Sequence, residues 1–339
     1  MAIYVIKTPI LERYEILYTM LSEQLKEPVI LTDNLNKESL SPKDLIWFHF
    51  FQEIPNELQK NVIKPNNKIA KKWDSKFLQY NEFKHHLNVP EYKIFKSQFG
   101  VIKELRSLKS KYKKFLITPE FGFSGYSFLF CDKQTTGEQL YKMLKNQEYR
   151  VSKYIPNSES FGIHLIIANK DLFYLSPATR QHIVDVTLFR GGNYPCEFSD
   201  KINSQIYKMC NFINNRLFSD GYLGLVHIDF MINNEKVIFC EVNPRTAGST
   251  PYIAASLKEE YEINFPYIEY YAITHKDLPK INKIRKRKLN WDYEIKFRPL
   301  KFEETPYIKL QEIFNSANGE IYYLNFTDEK FVKLKVEEK

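Results

Sequence analysis

Between Gly221 and Pro251 the chain reads GYLGLVHIDFMINNEKVIFCEVNPRTAGSTP, and this stretch constrains the fold more than any other. In its first arm Val226, Ile228, Phe230 and Ile232 alternate with His227, Asp229 and Met231. In its second, Ile238, Cys240 and Val242 alternate with Phe239, Glu241 and Asn243. Strand side chains point to opposite faces with period two, so the pattern predicts two half-buried strands joined by a turn. If both even-numbered apolar sets face the core, opposed residues have matching parity and the turn around Asn233, Asn234 and Glu235 holds an odd number of residues. A three-residue turn then sets Asp229 opposite Glu241, with Asn243 two residues further along the same face.

Two carboxylates this close repel unless one takes up a proton or a cation sits between them. Two acids and an amide oxygen are hard ligands of the kind that suit magnesium or manganese, which keep much of their water and are completed by substrate phosphates. An exposed polar face on an edge hairpin would carry the same alternation, so the hairpin alone leaves both readings open.

Asp229, followed twelve positions later by Glu241-Val242-Asn243-Pro244-Arg245, closely resembles the metal-binding end of the ATP-grasp superfamily, in its biotin-carboxylase-like branch. The resemblance implies an α/β chain with the ATP-grasp fold: an N-terminal open α/β domain, a small lid subdomain and a larger mixed-sheet subdomain. It also implies Asp229, Glu241 and Asn243 as ligands of the magnesium ions that bridge the phosphates of ATP. Arg245 would hold a substrate carboxylate or the transferred phosphoryl group.

Composition is compatible with this. A chain of 339 residues with 43% hydrophobic and 15% aromatic content can bury substantial cores. No apolar run approaches the ~20 residues that span a bilayer, and MAIYVIKTPI lacks the layout of a signal peptide, so a soluble, cytoplasmic protein without membrane partners is expected. Cys131, Cys196, Cys210 and Cys240 show no Cys-x-x-Cys spacing and read as small buried hydrophobes. The net charge of +8 is concentrated at Lys109 to Lys114 and Lys280 to Lys288. The second run lies beyond the last motif and without interleaved aromatics, which reads as a solvated linker rather than a nucleic-acid surface.

Taken in order, IYVI, a helical pattern from about residue 10 to 25, PVILTD and LIWFHFF give a strand, helix, strand rhythm for an N-terminal domain over 1–75. By resemblance, 76–155 is the opening helix and the lid, 156–275 the subdomain with the metal site, and 276–339 an extension of unassigned role. Lys76 stands fourteen residues before Pro90, where the family places a phosphate-binding lysine; a solvated helix lysine is the alternative. Gly122, Ser124 and Gly125 keep the small-residue lid loop, whose amides would close over phosphates. Thr118 departs from the pattern, since a lysine belongs there; Lys113, Lys114, Lys153 or the loop amides would have to compensate. Backbone groups of Lys153, Tyr154 and Ile155 would meet adenine, while Ser152 replaces a frequent acid. Arg180, Gln181 and the turn Arg190-Gly191-Gly192-Asn193 follow, with Arg190 joining Arg245 as a catalytic candidate; a structural turn competes with that reading.

The expectation is an ATP-dependent, ADP-forming ligase that joins a carboxylate to the amine of a small molecule, an amino acid or peptide, through an acyl phosphate. A phosphotransferase that releases its phosphorylated product and a nonhydrolysing nucleotide-binding protein are the alternatives, and a homodimer is left open.

Overall fold

The computed structural model describes residues 1–6, 14–33, 35, 40–47, 56–63, 67–122, 128–184, 186, 188–281, 289–297, 322–326 and 330–338. Strands β1 (Ile3–Ile6), β2 (Val29–Thr32) and β3 (Leu45–Trp47), with helix α1 (Glu15–Leu25), realise the N-terminal rhythm. They form a parallel sheet in the order β2-β1-β3, with both crossovers running through the intervening chain. Helix α1 buries Leu17, Tyr18, Met20 and Leu21, one stripe at helical spacing. It ends where Lys26 turns left-handed and its N–H bonds back to Ser22 O.

Next come α2 (Asn67–Trp73) and α3 (Lys76–Phe83), the latter started by Ser75, whose hydroxyl accepts from the Leu78 N–H. Strands β4 (Tyr92–Phe95), β5 (Phe115–Pro119), β6 (Leu129–Cys131) and β7 (Tyr149–Lys153) make an antiparallel sheet in the order β4-β7-β5-β6. Helices α4 (Gln98–Tyr112) and α5 (Gly137–Met143) supply Val101, Leu105 and Leu140 to a core with Phe115, Ile117 and Val151 on one side of that sheet. By alternation Thr118, Arg150 and Ser152 lie on its other side.

The remaining strands are β8 (Glu159–Ile167), β9 (Phe173–Leu175), β10 (Ala178–Val184), β11 (Leu188–Cys196), β12 (Gly224–Asn233), β13 (Lys236–Asn243), β14 (Leu289–Phe297), β15 (Tyr322–Phe326) and β16 (Lys330–Glu338). They form one nine-stranded sheet, β13-β12-β8-β10-β11-β14-β16-β15, with β9 beside β8. Its described pairs are antiparallel; among the described residues parallel pairing occurs in β1, β2 and β3 and in the isolated bridge of Ile46 with Val62. The extension after residue 276 therefore has a structural place, since β14 continues the sheet from β11. Helix α6 (Asp200–Ser219) covers one face, packing Ile206 and Ile213 on Leu165 and Val226. On the other face α7 (Thr250–Tyr261) and α8 (Phe265–His275) share a core with α1, β1, Ile166 and Leu225.

The β12–β13 hairpin corrects the sequence reading while keeping its consequence. The turn is the two residues Asn234 and Glu235, both with positive φ (48° and 58°), the geometry that matches the twist of paired strands. Two residues would set Asp229 against Cys240. A register shift between Asp229 and Phe230 absorbs one extra residue, so Asp229 is opposed to Glu241 after all. The bulge also moves the core face of β13 from Val242 above it to Phe239 and Val237 below it, leaving Ile238 half-buried where the strict alternation placed it in the core.

Candidate active site

The bulge delivers two carboxylates to one spot, and an amide ties them together. Asn243 Nδ2 donates to Asp229 Oδ2 at 2.8 Å and to Glu241 Oε1 at 3.2 Å. Gln181 Nε2 on β10 donates to the other Asp229 oxygen at 2.6 Å. From α3, Lys76 Nζ lies 3.2 Å from Glu241 Oε2 and donates to Gly122 O at 2.9 Å, linking the acids to the start of the lid loop. Its side chain is 2% exposed, which removes the reading of a solvated helix lysine. Arg245 Nη2 donates to Asn243 Oδ1 at 3.1 Å, and its Nε is 3.9 Å from Asp74 Oδ1.

These contacts bear on the charge of Asp229. Burial, the largest effect, pushes the Asp229 carboxyl up; the charge and hydrogen bond of His227 and the amide of Gln181 outweigh it and bring the group below its ordinary 3.8. His227 Nδ1 stands 3.5 Å from Asp229 Oδ2. The two acids are thus set among the donors Asn243, Gln181 and Lys76. Asp74 goes the other way, raised by burial against the opposing pull of Arg245 and Lys76. His164, its ring tilted by 55° to that of His227 with ring centres 4.7 Å apart, is held well below its ordinary 6.5 by burial and then by His227. Cys240, at the bulge, is a free thiol pushed up by burial and by the charges of Asp229 and Glu241, consistent with a thiol that stays protonated.

Two residues that the sequence did not single out position this cluster. Gln79 on α3 is fully buried and bonds the edge strand β13 through two contacts, with a third to the end of α2. Its Nε2 donates to Val242 O (2.7 Å) and Trp73 O (2.7 Å), and its Oε1 accepts from Val242 N–H (2.8 Å). A side-chain amide thereby takes the place of a neighbouring strand and fixes Lys76 relative to Glu241. Gly162 on β8 pairs with Asp229, and a Cβ there would come within 2.5 Å of His227 Nε2 and 3.0 Å of Gln181 Nε2. The only sequence signal for either was helical phase for Gln79 and a glycine inside a strand for Gly162.

The lid is less complete. Gly122 is described; Ser124 and Gly125 lie outside the described residues. Thr118 is buried and opposed to Arg150. Lys153 is paired with Phe115, whose side chain lies in the core behind the sheet, so it shares that side and not the side of Thr118. Lys113 and Lys114 precede β5 and are exposed. The Lys153 N–H donates to Glu91 O (2.8 Å) and the Tyr154 N–H to Lys114 O (3.1 Å), while Ile155 O accepts from Ser158 Oγ at 2.9 Å. Arg190 has its backbone in β11, and its side chain lies outside the described residues. Gly191, Gly192 and Asn193 form no turn: they sit within β11, Gly192 and Asn193 opposed to Gln181 and Arg180 on one side and all three to β14 on the other. Arg180 is paired with Glu159 at the surface. The basic run after Lys280 lies almost wholly outside the described residues.

Among the described residues no group of three or more His, Cys, Asp and Glu side chains is placed to hold a metal ion, and no helix is long and apolar enough to cross a membrane. Two opposed carboxylates with an amide beside them are nonetheless the donor set of a magnesium ion that keeps its water and shares substrate phosphates, so these residues fit that ion.

The model of the ATP-grasp domain family matches residues 73–249, just over half of the chain. The carbamoyl phosphate synthase large chain of Lachnoclostridium phytofermentans is 26% identical over 147 residues, 41% of this chain and 13% of that protein, so this chain spans a small part of that relative. Among solved structures, a phosphoribosylamine–glycine ligase from Thermotoga maritima superposes with a TM-score of 0.70 at 14% identity, covering 100% of this chain and 93% of that one. An N5-carboxyaminoimidazole synthetase from Staphylococcus aureus complexed with ADP gives 0.69 at 12% identity, covering 100% and 94%. The corresponding Aspergillus clavatus enzyme, complexed with ADP and 5-aminoimidazole ribonucleotide, gives 0.68 at 13%, covering 100% and 94%. With a matching sequence model over the hairpin, the lid and the helix between them, and the same fold throughout, this chain belongs to the ATP-grasp family.

Proposed function

We propose that this chain is an ATP-dependent, ADP-forming ligase that joins a small-molecule carboxylate to an amine through an acyl phosphate. The observation that carries the reading is the convergence of Lys76 from α3, Gly122 from the lid, Asp229 and Glu241 in one hydrogen-bonded cluster. In it, charges of both signs are held where polyphosphate and cation must meet. We divide the chain functionally into 1–75, the lid unit 76–155, the acid-bearing unit 156–275 and the appended strands beyond 276.

In this scheme adenine lies against the chain at Lys153, Tyr154 and Ile155; the Lys153 and Tyr154 N–H groups are already committed to Glu91 O and Lys114 O, which leaves the Ile155 amide to meet the purine edge. Asp229, Glu241 and Asn243 would hold magnesium, or manganese in its place, and that ion when bound spreads the charge of the transferred phosphoryl group. Lys76 turns from Glu241 toward phosphate oxygen, and Gly122 brings the lid amides over it. Arg245, a planar fork beside Asn243, orients the substrate carboxylate. One carboxylate oxygen attacks the γ-phosphorus as the bond to the β-phosphate oxygen breaks, releasing ADP; the amine then attacks the acyl carbon, expels phosphate and loses its proton. No side chain acts as nucleophile, so catalysis consists of positioning and charge stabilisation.

The test is a screen of carboxylates with amines for release of ADP and phosphate. ADP release requiring both partners is the expected result. ADP release with one partner and a stable phosphorylated product would make the enzyme a phosphotransferase, and no ADP with any pair would refute the reading.

A further inference from the structure

Thr118 stands on β5 where the resemblance calls for a lysine, and Arg150 on β7 is directly opposed to it. Opposed residues share a face, here the one turned from the lid core toward α3. Arg150 is 4% exposed. Its guanidinium carbon lies 3.6 Å from the centre of the Tyr80 ring, and Nη1 donates to Lys76 O at 3.2 Å, placing the charge beside the residue that touches both the lid and Glu241. Its Nε is buried without a hydrogen-bond partner, and it makes no ion pair among the described residues. Stacking on an aromatic ring and one carbonyl do not offset the burial of a whole guanidinium, which calls for an anion.

We propose that Arg150 binds the diphosphate group of the nucleotide, carrying from β7 the charge that Thr118 cannot carry from β5. This rests on the nucleotide reading given above. The arrangement accounts for the threonine as well: a lysine at 118 would set two like charges directly opposite one another, which destabilises a strand pair, and the arginine makes it unnecessary. Tyr80 and the Lys76 carbonyl fix the plane of the guanidinium before the nucleotide arrives, and the unused Nε–H is a donor for a phosphate oxygen.

The test measures ADP affinity with magnesium by calorimetry for the full chain, for Arg150→Gln, and for the double variant Arg150→Gln with Thr118→Lys, alongside ligand-free melting temperatures. Arg150→Gln should weaken ADP by between about tenfold and about a hundredfold, the worth of a charge-assisted hydrogen bond. The lysine returned to β5 should bring affinity back to within about threefold of the unaltered chain. A packing role for Arg150 would not be rescued by a lysine on another strand, so failure of the rescue, or unchanged affinity in Arg150→Gln, overturns the proposal. If Arg150→Gln does not fold, the double variant decides alone. Absence of ADP binding by the unaltered chain would instead remove the nucleotide reading.

Discussion

Arg245 touches Asn243 Oδ1 and lies near Asp74, so it borders the acid cluster. Arg245→Lys keeps the charge and loses the fork. Steady-state kinetics should show turnover reduced by about tenfold or more with ATP affinity nearly unchanged; an equal loss in ATP binding would move this residue to the nucleotide. His164 gives a second, independent readout. Because its folded-state pKa lies below the ordinary 6.5, the unfolded chain takes up a proton that the folded chain refuses. Its contribution to stability is intact above about pH 6.5 and declines as pH falls below it, by up to ~1.4 kcal/mol per pH unit. Urea unfolding at pH 7.5 and 5.5 should therefore show a smaller acid-induced loss in His164→Gln than in the unaltered chain, by about 1 kcal/mol. An equal loss in both would show that this imidazole is not held neutral.

At the scale of elements the hairpin and α3 carry the account. Parity alone led to the right pair, Asp229 with Glu241, by a wrong route, because alternation does not reveal that a two-residue turn and a bulge displace the register by compensating amounts. What sequence could not provide was the fastening of α3 to the edge of β13, since Gln79 differs from an ordinary polar helix residue only in where the helix docks. Gln79→Leu leaves the buried N–H and C=O of Val242 unpaired and should cost about 2–4 kcal/mol in urea unfolding, with turnover impaired in the molecules that remain folded. A change within ~0.5 kcal/mol would mean that water replaces the amide. Gly162→Ala presses a methyl against His227 and Gln181, two of the neighbours that lower the Asp229 carboxyl. It should cost about 1–3 kcal/mol in the same assay and depress turnover, whereas wild-type stability would show that the imidazole has room to yield.

For the whole molecule, the strand and helix rhythm located the N-terminal elements because apolar periodicities survive any docking: IYVI is Ile3–Ile6, the helical pattern read from about residue 10 to 25 is described as Glu15–Leu25, PVILTD holds Val29–Thr32, and LIWFHFF opens with Leu45–Trp47. The addition of β14 to β11 was not legible, since sheet order is set by contacts distant in sequence. The acids and Lys76 were found through a short local motif; Arg150 was missed because its meaning arises only from standing across the lid sheet from Thr118. The central claim is that Asp229 and Glu241 hold magnesium against the phosphates of ATP. It is tested most directly by thermal unfolding with a nonhydrolysable ATP analogue, with and without magnesium, for the unaltered chain and for Glu241→Gln, which removes a charge with little change of shape. At analogue concentrations about a hundredfold above Kd the unaltered chain should gain ~2.7 kcal/mol only when magnesium is present. Glu241→Gln should fold yet lose most of that magnesium-dependent gain, together with turnover. Normal magnesium-dependent stabilisation and normal turnover in Glu241→Gln would contradict the account.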